Sequence, residues 1–405
     1  MSSTAPETRS SGRIPGTRRP HIPAAVLPSA PRARALRVLH ALHRAAPALA
    51  AYVAVRVTGL LVLTLWAQRR RQGVWVVLAA QWDADWYLDI AENGYTRELG
   101  TAYNANNLAF FPLYPVLTKA VAVLTPGSRA STGLGLAVAA SLLAAWGIFA
   151  VGDRLYGRRT GVLLTTLWAA FPVGVVQWMG YTESLFTALT AWSLYAVLTG
   201  RWLWAGGFAA LAGLTRPTGV AVAAAVVVAA LWSLRRRPLR ARALIAAALA
   251  PLGWCAYVGW VGLRLGRWDG YFAVQRLWHN EVDGGVYTLR RMRQLLVYDA
   301  TPHLFLVVVT LTLAGAVVLF GLSVWDRQPL PLLVLTGVLL VIVLASGGVY
   351  FPRARFLVPA FPLLLPLALH LSRASRRHRA LTLTAAVLGS AYCGAYMLLV
   401  WPSAP

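Results

Sequence analysis

The chain has 405 residues, of which 58% are hydrophobic and 13% are charged, and its formal net charge is +25. A chain this apolar is not an ordinary water-soluble globule, and its basic residues are spread among hydrophobic runs, which excludes a folded nucleic-acid-binding face. Cys255 and Cys393 lie in separate apolar runs far from other ligand residues, which excludes a disulfide framework and a cysteine metal site.

The amino-terminal segment differs from the rest of the chain. Residues 1–46 are rich in Ser, Pro, Arg and Ala and lack periodicity, which predicts a disordered cytoplasmic tail. A short membrane-surface helix near Arg37 to Arg44 is the alternative for its last part. Residues 47–401 are then expected to form one transmembrane domain.

Apolar runs follow that are long enough to cross about 30 Å of hydrocarbon. They lie near 47–67, 131–152, 160–179, 182–199, 217–234, 243–263, 302–323, 329–346, 356–371 and 380–401. A shorter run, about 202–215, completes a hairpin with the segment that begins at Pro217. The pattern predicts an all-α polytopic protein of the cell membrane, with about 11 transmembrane helices.

The run 109–125 is ambiguous, because it has two prolines near its start and Lys119 in its middle. If it crossed the membrane, the basic clusters at 235–242 and 373–379 would face outward, against the positive-inside rule. We therefore predict a re-entrant or surface helix there, with a cytoplasmic amino terminus. The basic stretch 68–71 then falls outside, which opposes this topology.

On this map most acidic residues are extracytoplasmic, in outer loops at 68–130 and 264–301. The stretch "QWDADWYLDIAENGY" (81–95) is the most polar part of the first loop. Projected as a helix, it places Asp83 on the apolar side and Asp85, Asp89 and Glu92 on the opposite side. Gly94 is expected to end that helix.

Two interpretations of Asp83 follow from this spacing. It is either the N-cap of a helix over 84–93, or a partly dehydrated carboxylate that takes a proton from a hydroxyl. In the second outer loop, His279, Glu281 and Asp283 of "WHNEVDGG" are explained by surface polarity, with contact to an acceptor as the alternative.

Five blocks of sequence carry a resemblance to a known family. They are "WDADWYLDIAENGY" (82–95), "FFPLYP" (110–115), "YTESLF" (181–186), "LTRPTG" (214–219) and "YFPRARFLVPAFPLLLPLA" (350–368). In this order they resemble the signature blocks of the PIG-V type mannosyltransferases, the second-mannose enzymes of GPI-anchor assembly and their bacterial relatives, within the GT-C class. The resemblance covers about 47–401.

The resemblance implies a GT-C fold and an inverting transfer of a sugar, mannose in this family. The donor would be a polyprenyl-phosphate sugar and the acceptor a glycolipid or glycan hydroxyl on the extracytoplasmic side. An acidic residue of the first outer loop is the general base in that class, and Asp83 is the matching position. Asp85 is a weaker candidate, and we add Trp82, Trp86, Tyr87 and Tyr181 as candidate substrate-binding residues.

Several charged residues could bind the substrates. Arg216, Arg353 and Arg355 lie at outer ends of spans, where they either clamp a phosphate or snorkel to the interface. An extended backbone would aim Arg353 and Arg355 to one side. Glu183 is at the start of a span, where its carboxylate either interacts favourably with the helix dipole or binds sugar or acceptor hydroxyls. Arg56 lies mid-span and would pair with an outer-loop carboxylate or the donor phosphate.

No cofactor or metal is expected, since two carboxylates two residues apart on a helix point about 200° from one another. The main alternative to an enzyme is a transporter or flippase for a polyprenyl-linked sugar or lipid. Such a protein would carry ionisable groups at the bilayer midplane and repeated halves, whereas the acids here gather at one face. A protein O-mannosyltransferase is the alternative within the enzyme class.

Overall fold

The structure, a computed structural model, describes residues 30–235 and 241–404. These residues are helical, and the only strand-like pairing among them is an isolated bridge between Val282 and Ser346. The described residues fall into two units, which are divided between His43 and Arg44. All the residues of the candidate site belong to the second unit.

The first helix is longer than the sequence predicts. Helix α1 covers Ala30–Arg70, so residues 30–46, which we expected in a disordered tail, are helical. Apolar residues and alanines continue upstream of residue 47, and this composition favours helix extension beyond the span itself. The rest of the predicted tail, residues 1–29, lies outside the described residues.

The remaining helices follow in chain order. They are α2 (Val74–Ala79), α3 (Asp83–Asn93), α4 (Leu113–Ala122), α5 (Arg129–Tyr156), α6 (Arg158–Ala169), α7 (Glu183–Leu198), α8 (Trp202–Gly213), α9 (Gly219–Leu234), α10 (Ala241–Leu249), α11 (Leu252–Arg264), α12 (Gly270–Leu277), α13 (Val286–Arg293), α14 (Leu304–Trp325), α15 (Leu330–Ala345), α16 (Arg353–Phe356), α17 (Leu365–Arg373) and α18 (Arg376–Leu399). Short helical turns occur at Asn107–Ala109, Gly174–Trp178, Gln294–Tyr298 and Phe361–Leu364.

Each predicted span overlaps a helix of the structure, but the helices differ in length. Five described segments are long and apolar enough to cross a membrane: Leu39–Arg70, Arg129–Tyr156, Ala241–Arg264, Leu304–Trp325 and Arg376–Leu399. The predicted span 243–263 is interrupted, because Pro251 stands between α10 and α11 and cannot continue a regular helix. The protein is therefore a multi-pass membrane protein, and the number of its spans stays a prediction.

Helix α4 occupies the ambiguous run 109–125. It has 10 residues and so rises about 15 Å, half of the hydrocarbon thickness. It packs against α3 and α5. This length supports the prediction of a re-entrant or surface helix.

The helices of the core approach closely through small residues. Helix α5 packs against both α6 and α7. A Cβ added at Gly152 of α5 would lie 2.8 Å from the Cα of Gly161 in α6, so only glycine allows this crossing. Small residues at helix crossings are how membrane helices gain close van der Waals contact, since lipid supplies no hydrophobic drive between them.

Candidate active site

Helix α3 has the amphipathic orientation that the sequence predicts. Asp85, Asp89 and Glu92 are exposed, whereas Tyr87, Ile90 and Ala91 are buried. The helix ends at Gly94, whose φ of 80° lies in the left-handed region that glycine adopts without steric cost. Asp83 therefore starts a helix whose buried face packs against the protein.

Asp83 is the first residue of α3 and does not act as its N-cap. The N-cap is Trp82, with φ of 55° and no side-chain capping bond. The Asp83 carboxylate instead accepts a hydrogen bond from the guanidinium of Arg355, with 2.5 Å between Nη2 and Oδ2. This bond uses one carboxylate oxygen and leaves Oδ1 as the further acceptor.

Arg355 lies between two carboxylates. Its Nη2 contacts Asp83, and its Nε lies 3.6 Å from Oε1 of Glu183. On the other side of Glu183, Nη1 of Arg216 lies 2.6 Å from the same oxygen. The sequence places these four residues in separate blocks, and the fold gathers them into one charge cluster of two cations and two anions.

Burial divides the roles within the charge cluster. The side chain of Glu183 is 1% exposed, that of Arg355 7% and that of Arg216 9%, whereas that of Asp83 is 19% exposed. Charges this buried are retained in a fold only when they are paired. Glu183 is thus an internal counter-ion for both arginines, and Asp83 is the carboxylate of the cluster that can meet an incoming molecule.

The hydroxyl of Thr182 joins the cluster to α3. Thr182 Oγ1 accepts from Arg216 Nη1 at 2.9 Å and lies 3.1 Å from the hydroxyl of Tyr87. Burial, together with the nearby carboxylates, raises the pKa of Tyr87 despite the opposing charge of Arg216. Tyr87 therefore keeps its proton at neutral pH and remains a hydrogen-bond donor.

Aromatic rings cover the arginines. The Arg355 guanidinium lies 5.1 Å from the ring centre of Tyr181 and 5.6 Å from that of Phe356, and Arg216 lies 5.4 Å from Phe356. Cation–π contact of this kind contributes more where water is excluded. Burial and the Asp83 charge raise the pKa of Tyr181, against the effect of Arg355.

Two nitrogens of Arg355 remain available for hydrogen bonds. Nη1 and Nε are buried and have no hydrogen-bond partner among residues 30–235 and 241–404. Burial opposes the charge of Arg355, but Asp83 and Glu183 outweigh it and its pKa is raised. The cluster thus offers a fixed cation with unused donors beside a carboxylate with an unused acceptor.

Arg353 lies apart from this cluster, contrary to the prediction that it acts with Arg355. The prediction assumed an extended backbone, but the segment forms the helical turn α16, in which positions two apart point to opposite sides. The Arg353 guanidinium donates to the Ser346 carbonyl, to the Thr288 hydroxyl and, at 3.0 Å, to the Val349 carbonyl. Its side chain is turned away from Asp83.

Arg56 is also outside the cluster. It is 5% exposed and donates to the carbonyl of Ala169, the last residue of α6. The end of a helix carries unpaired carbonyls and a partial negative charge, so this contact pairs Nη2 of Arg56 with a favourable acceptor, while its buried Nε has no hydrogen-bond partner among the described residues. The predicted pairing with an outer-loop carboxylate does not occur among the described residues.

The aromatic residues of "WDADWY" meet partners that the sequence did not single out. Trp86 stacks on Phe110, with 5.6 Å between ring centres, and meets the edge of Trp278 at 5.5 Å. Trp278 belongs to the stretch "WHNEVDGG", whose polar residues alone are candidate contacts in the sequence. Phe110 belongs to the block "FFPLYP", and its place in that block is the feature of the sequence that indicates a role near the site.

The polar residues of "WHNEVDGG" have local roles. Asp283 accepts from the amides of Gly285 at 2.9 Å and Tyr287 at 2.6 Å, and the bond from Tyr287 lowers the pKa of its carboxyl. Within the described ranges, no three His, Cys, Asp or Glu side chains gather as a metal-binding group. Asp85 is exposed on the side of α3 opposite Asp83.

Comparison with known proteins agrees with the resemblance seen in the sequence. Residues 111–260 match the family of dolichyl-phosphate-mannose-protein mannosyltransferases. The chain is 31% identical over 147 residues to GPI alpha-1,6-mannosyltransferase 2 of Rattus norvegicus, which is 33% of this chain and 28% of the rat protein. The family range includes Glu183 and Arg216 and stops short of Asp83 and Arg355.

One solved structure shares the fold, and a second aligns more weakly. The structure of ArnT from Cupriavidus metallidurans bound to undecaprenyl phosphate aligns with a TM-score of 0.51 at 17% identity, over 80% of this chain and 60% of that one. The oligosaccharyltransferase of Archaeoglobus fulgidus aligns with a TM-score of 0.47 at 13% identity, over 87% of this chain and 56% of that one. The likeness to ArnT confirms the expected GT-C fold.

Proposed function

We propose that this protein is an inverting mannosyltransferase that uses a polyprenyl-phosphate mannose donor and acts at the extracytoplasmic face of the membrane. The observation that carries this proposal is the Asp83–Arg355 pair at the start of α3. It supplies a base and a cation side by side, and both lie in blocks that resemble the mannosyltransferase family.

Asp83 would act as the general base. As the acceptor oxygen bonds to the anomeric carbon, the hydroxyl proton passes to Oδ1 of Asp83. The bond between the anomeric carbon and the phosphate oxygen breaks, and the electron pair leaves with the polyprenyl phosphate. Arg355 holds Oδ2 of Asp83 and so fixes the direction of Oδ1.

Arg355 and Arg216 supply positive charge for the leaving phosphate. The unpaired Nη1 of Arg355 can donate a hydrogen bond to a phosphate oxygen. A guanidinium is well suited to binding phosphate. A preorganised cation lowers the barrier where negative charge develops on the leaving group. Glu183 keeps both arginines in place through Oε1.

An apolar cavity supports a lipid-linked donor. It has a volume of about 460 Å³ and is lined by residues of α6, α14, α17 and α18. Leu357 and Val358 line it as well, and they lie two and three positions after Arg355 in the chain. An isoprenoid chain in this cavity would therefore place its phosphate end towards the charge cluster.

The proposed orientation rests on charge and on two contacts. Arg44 pairs with Asp153 at 2.8 Å, so the end of α5 lies on the same side of the membrane as Arg44, which belongs to the predicted cytoplasmic tail. Arg70, from the basic stretch that opposed the topology, donates to the carbonyl of Leu399 at the end of α18. This contact gives the outward-facing arginine a partner at a helix end.

The experiment that tests the function is a donor and acceptor assay. Membranes that carry the protein are incubated with labelled polyprenyl-phosphomannose, polyprenyl-phosphoglucose or GDP-mannose, and lipid and protein fractions are counted separately. We expect transfer from polyprenyl-phosphomannose alone. Label in the lipid fraction identifies a glycolipid acceptor, and label in protein identifies the O-mannosyltransferase alternative. Movement of the donor across the vesicle membrane, with no mannosylated product formed, would indicate a flippase and contradict the proposal.

A further inference from the structure

Two outer segments of the chain are joined by a network that we name the loop clamp, residues 279–288 and 344–349. The amide of Asp283 donates to the Ala345 carbonyl at 3.0 Å, and the amide of Gly347 donates to the Glu281 carbonyl at 2.5 Å. Val282 and Ser346 form the isolated β-bridge. The second outer loop is thus fastened to the segment that leads into α16.

Arg353 occupies the centre of the loop clamp. Its three guanidinium nitrogens each donate a bond, to Val349, Thr288 and Ser346. Thr288 also donates to the Leu344 carbonyl at 2.7 Å. The arginine is 1% exposed, and the rings of Tyr287 and Tyr350 lie beside it at 5.6 Å and 5.4 Å.

These contacts are inconsistent with a phosphate-binding role for Arg353. All three nitrogens already bond to the protein, and the side chain is sealed from solvent. Removing an arginine from such a place leaves carbonyls without donors, which is costly for a buried network. Arg353 therefore holds structure in place.

We propose that Arg353 is a positioning residue for Arg355, an inference that rests on the proposed transferase function. Both arginines belong to the single turn α16, Arg353–Phe356, and they leave it on opposite sides. Fixing Arg353 in the loop clamp fixes the rotation of this turn about its axis. That rotation determines whether Nη2 of Arg355 reaches Asp83.

The kinetic test compares Arg353→Met and Arg353→Lys with the wild type. Because a misplacement of about 1 Å away from the chemistry can cost about 100-fold, we expect kcat of Arg353→Met to fall by about that factor with the donor KM nearly unchanged. Arg353→Lys, which keeps a donor, should recover part of the loss. A raised donor KM with unchanged kcat would show a phosphate ligand and overturn the proposal.

A double variant separates positioning from an independent role. If Arg353 acts through Arg355, then Arg353→Met should reduce kcat little further when Arg355→Lys is already present, since coupled residues are not additive. Multiplied losses would overturn the proposal. Arg267→Met is the matched control, because Arg267 is an outer-loop arginine that is 41% exposed and pairs with Asp269.

A third measurement does not depend on activity. Hydrogen exchange of the protein in nanodiscs should become faster at residues 279–288 and 344–349 in Arg353→Met, and to a smaller extent in Thr288→Val, which removes one acceptor. Unchanged exchange in both variants would overturn the loop clamp. If the wild type transfers no sugar, the proposed function fails while this measurement still tests the clamp.

Discussion

Arg355 donates a hydrogen bond to Asp83 over 2.5 Å, although 272 positions separate the two residues in the chain. The bond connects the start of α3 to the short helix α16, which follows α15. Glu183 lies on the other side of the same guanidinium, so three distant segments meet at one arginine. Arg355 thus has a carboxylate partner on each side, Asp83 and Glu183.

The buried counter-ion Glu183 should contribute to stability as well as to activity. Glu183→Gln leaves Arg216 and Arg355 without their shared carboxylate, and breaking a buried ion pair costs about 3 kcal/mol or more. We expect a lower thermal unfolding midpoint in detergent together with a loss of transfer. Glu92→Gln is the control, because Glu92 is 67% exposed in its pair with Arg129 and such pairs contribute little. Equal melting of the two variants would contradict the assignment.

Filling the apolar cavity should weaken binding of the donor's lipid chain. Gly389 of α18 lines the cavity, and an added Cβ there meets nothing within 4 Å, so Gly389→Leu adds bulk to the cavity lining from a position whose Cβ is unhindered. We expect a higher KM for a long-chain donor and a smaller change for a short-chain analogue. Gly321→Leu on α14 is equally unhindered and lies outside the cavity. The same KM change in both variants would rule out a lipid chain in this cavity.

The pH dependence follows from the tyrosines of the site. Burial and Asp83 raise the pKa of Tyr181 above its ordinary value, so its hydroxyl stays neutral. The stability that depends on this neutral form is lost only as pH rises past the ordinary tyrosine range near pH 10. Transfer rates measured from pH 6 to pH 10 should show no alkaline limb from this group. A limb near pH 8 that disappears in Tyr181→Phe would contradict the direction of the shift.

The topology makes a separate prediction. In the proposed orientation α4 lies at the surface, and the segment between α4 and α5 faces outward. A reporter fused after Ser128 should therefore give an extracytoplasmic signal, and one fused after Tyr156 should give a cytoplasmic signal. A cytoplasmic signal after Ser128 would mean that 109–125 crosses the membrane.

Much of the site could be predicted because its residues stand in ordered blocks and its helix has a clear period. The exposed and buried faces of α3 follow from spacing alone, since a helix places residues three and four apart together. The pairing of Asp83 with Arg355 could not be predicted, because no local rule connects positions so far apart. Arg353 and Arg355 were wrongly treated alike, since the turn α16 is too short for a periodicity that the sequence could reveal.

Asp83 is the proposed general base, and Asp85 on the same helix, α3, provides the matched control. Asp83→Asn and Asp85→Asn make the same chemical change two residues apart on one helix, at a partly buried, paired position and at an exposed one. With labelled polyprenyl-phosphomannose, Asp83→Asn should lose about 100-fold or more in rate, while Asp85→Asn keeps a rate close to that of the wild type. Wild-type transfer by Asp83→Asn would contradict the claim.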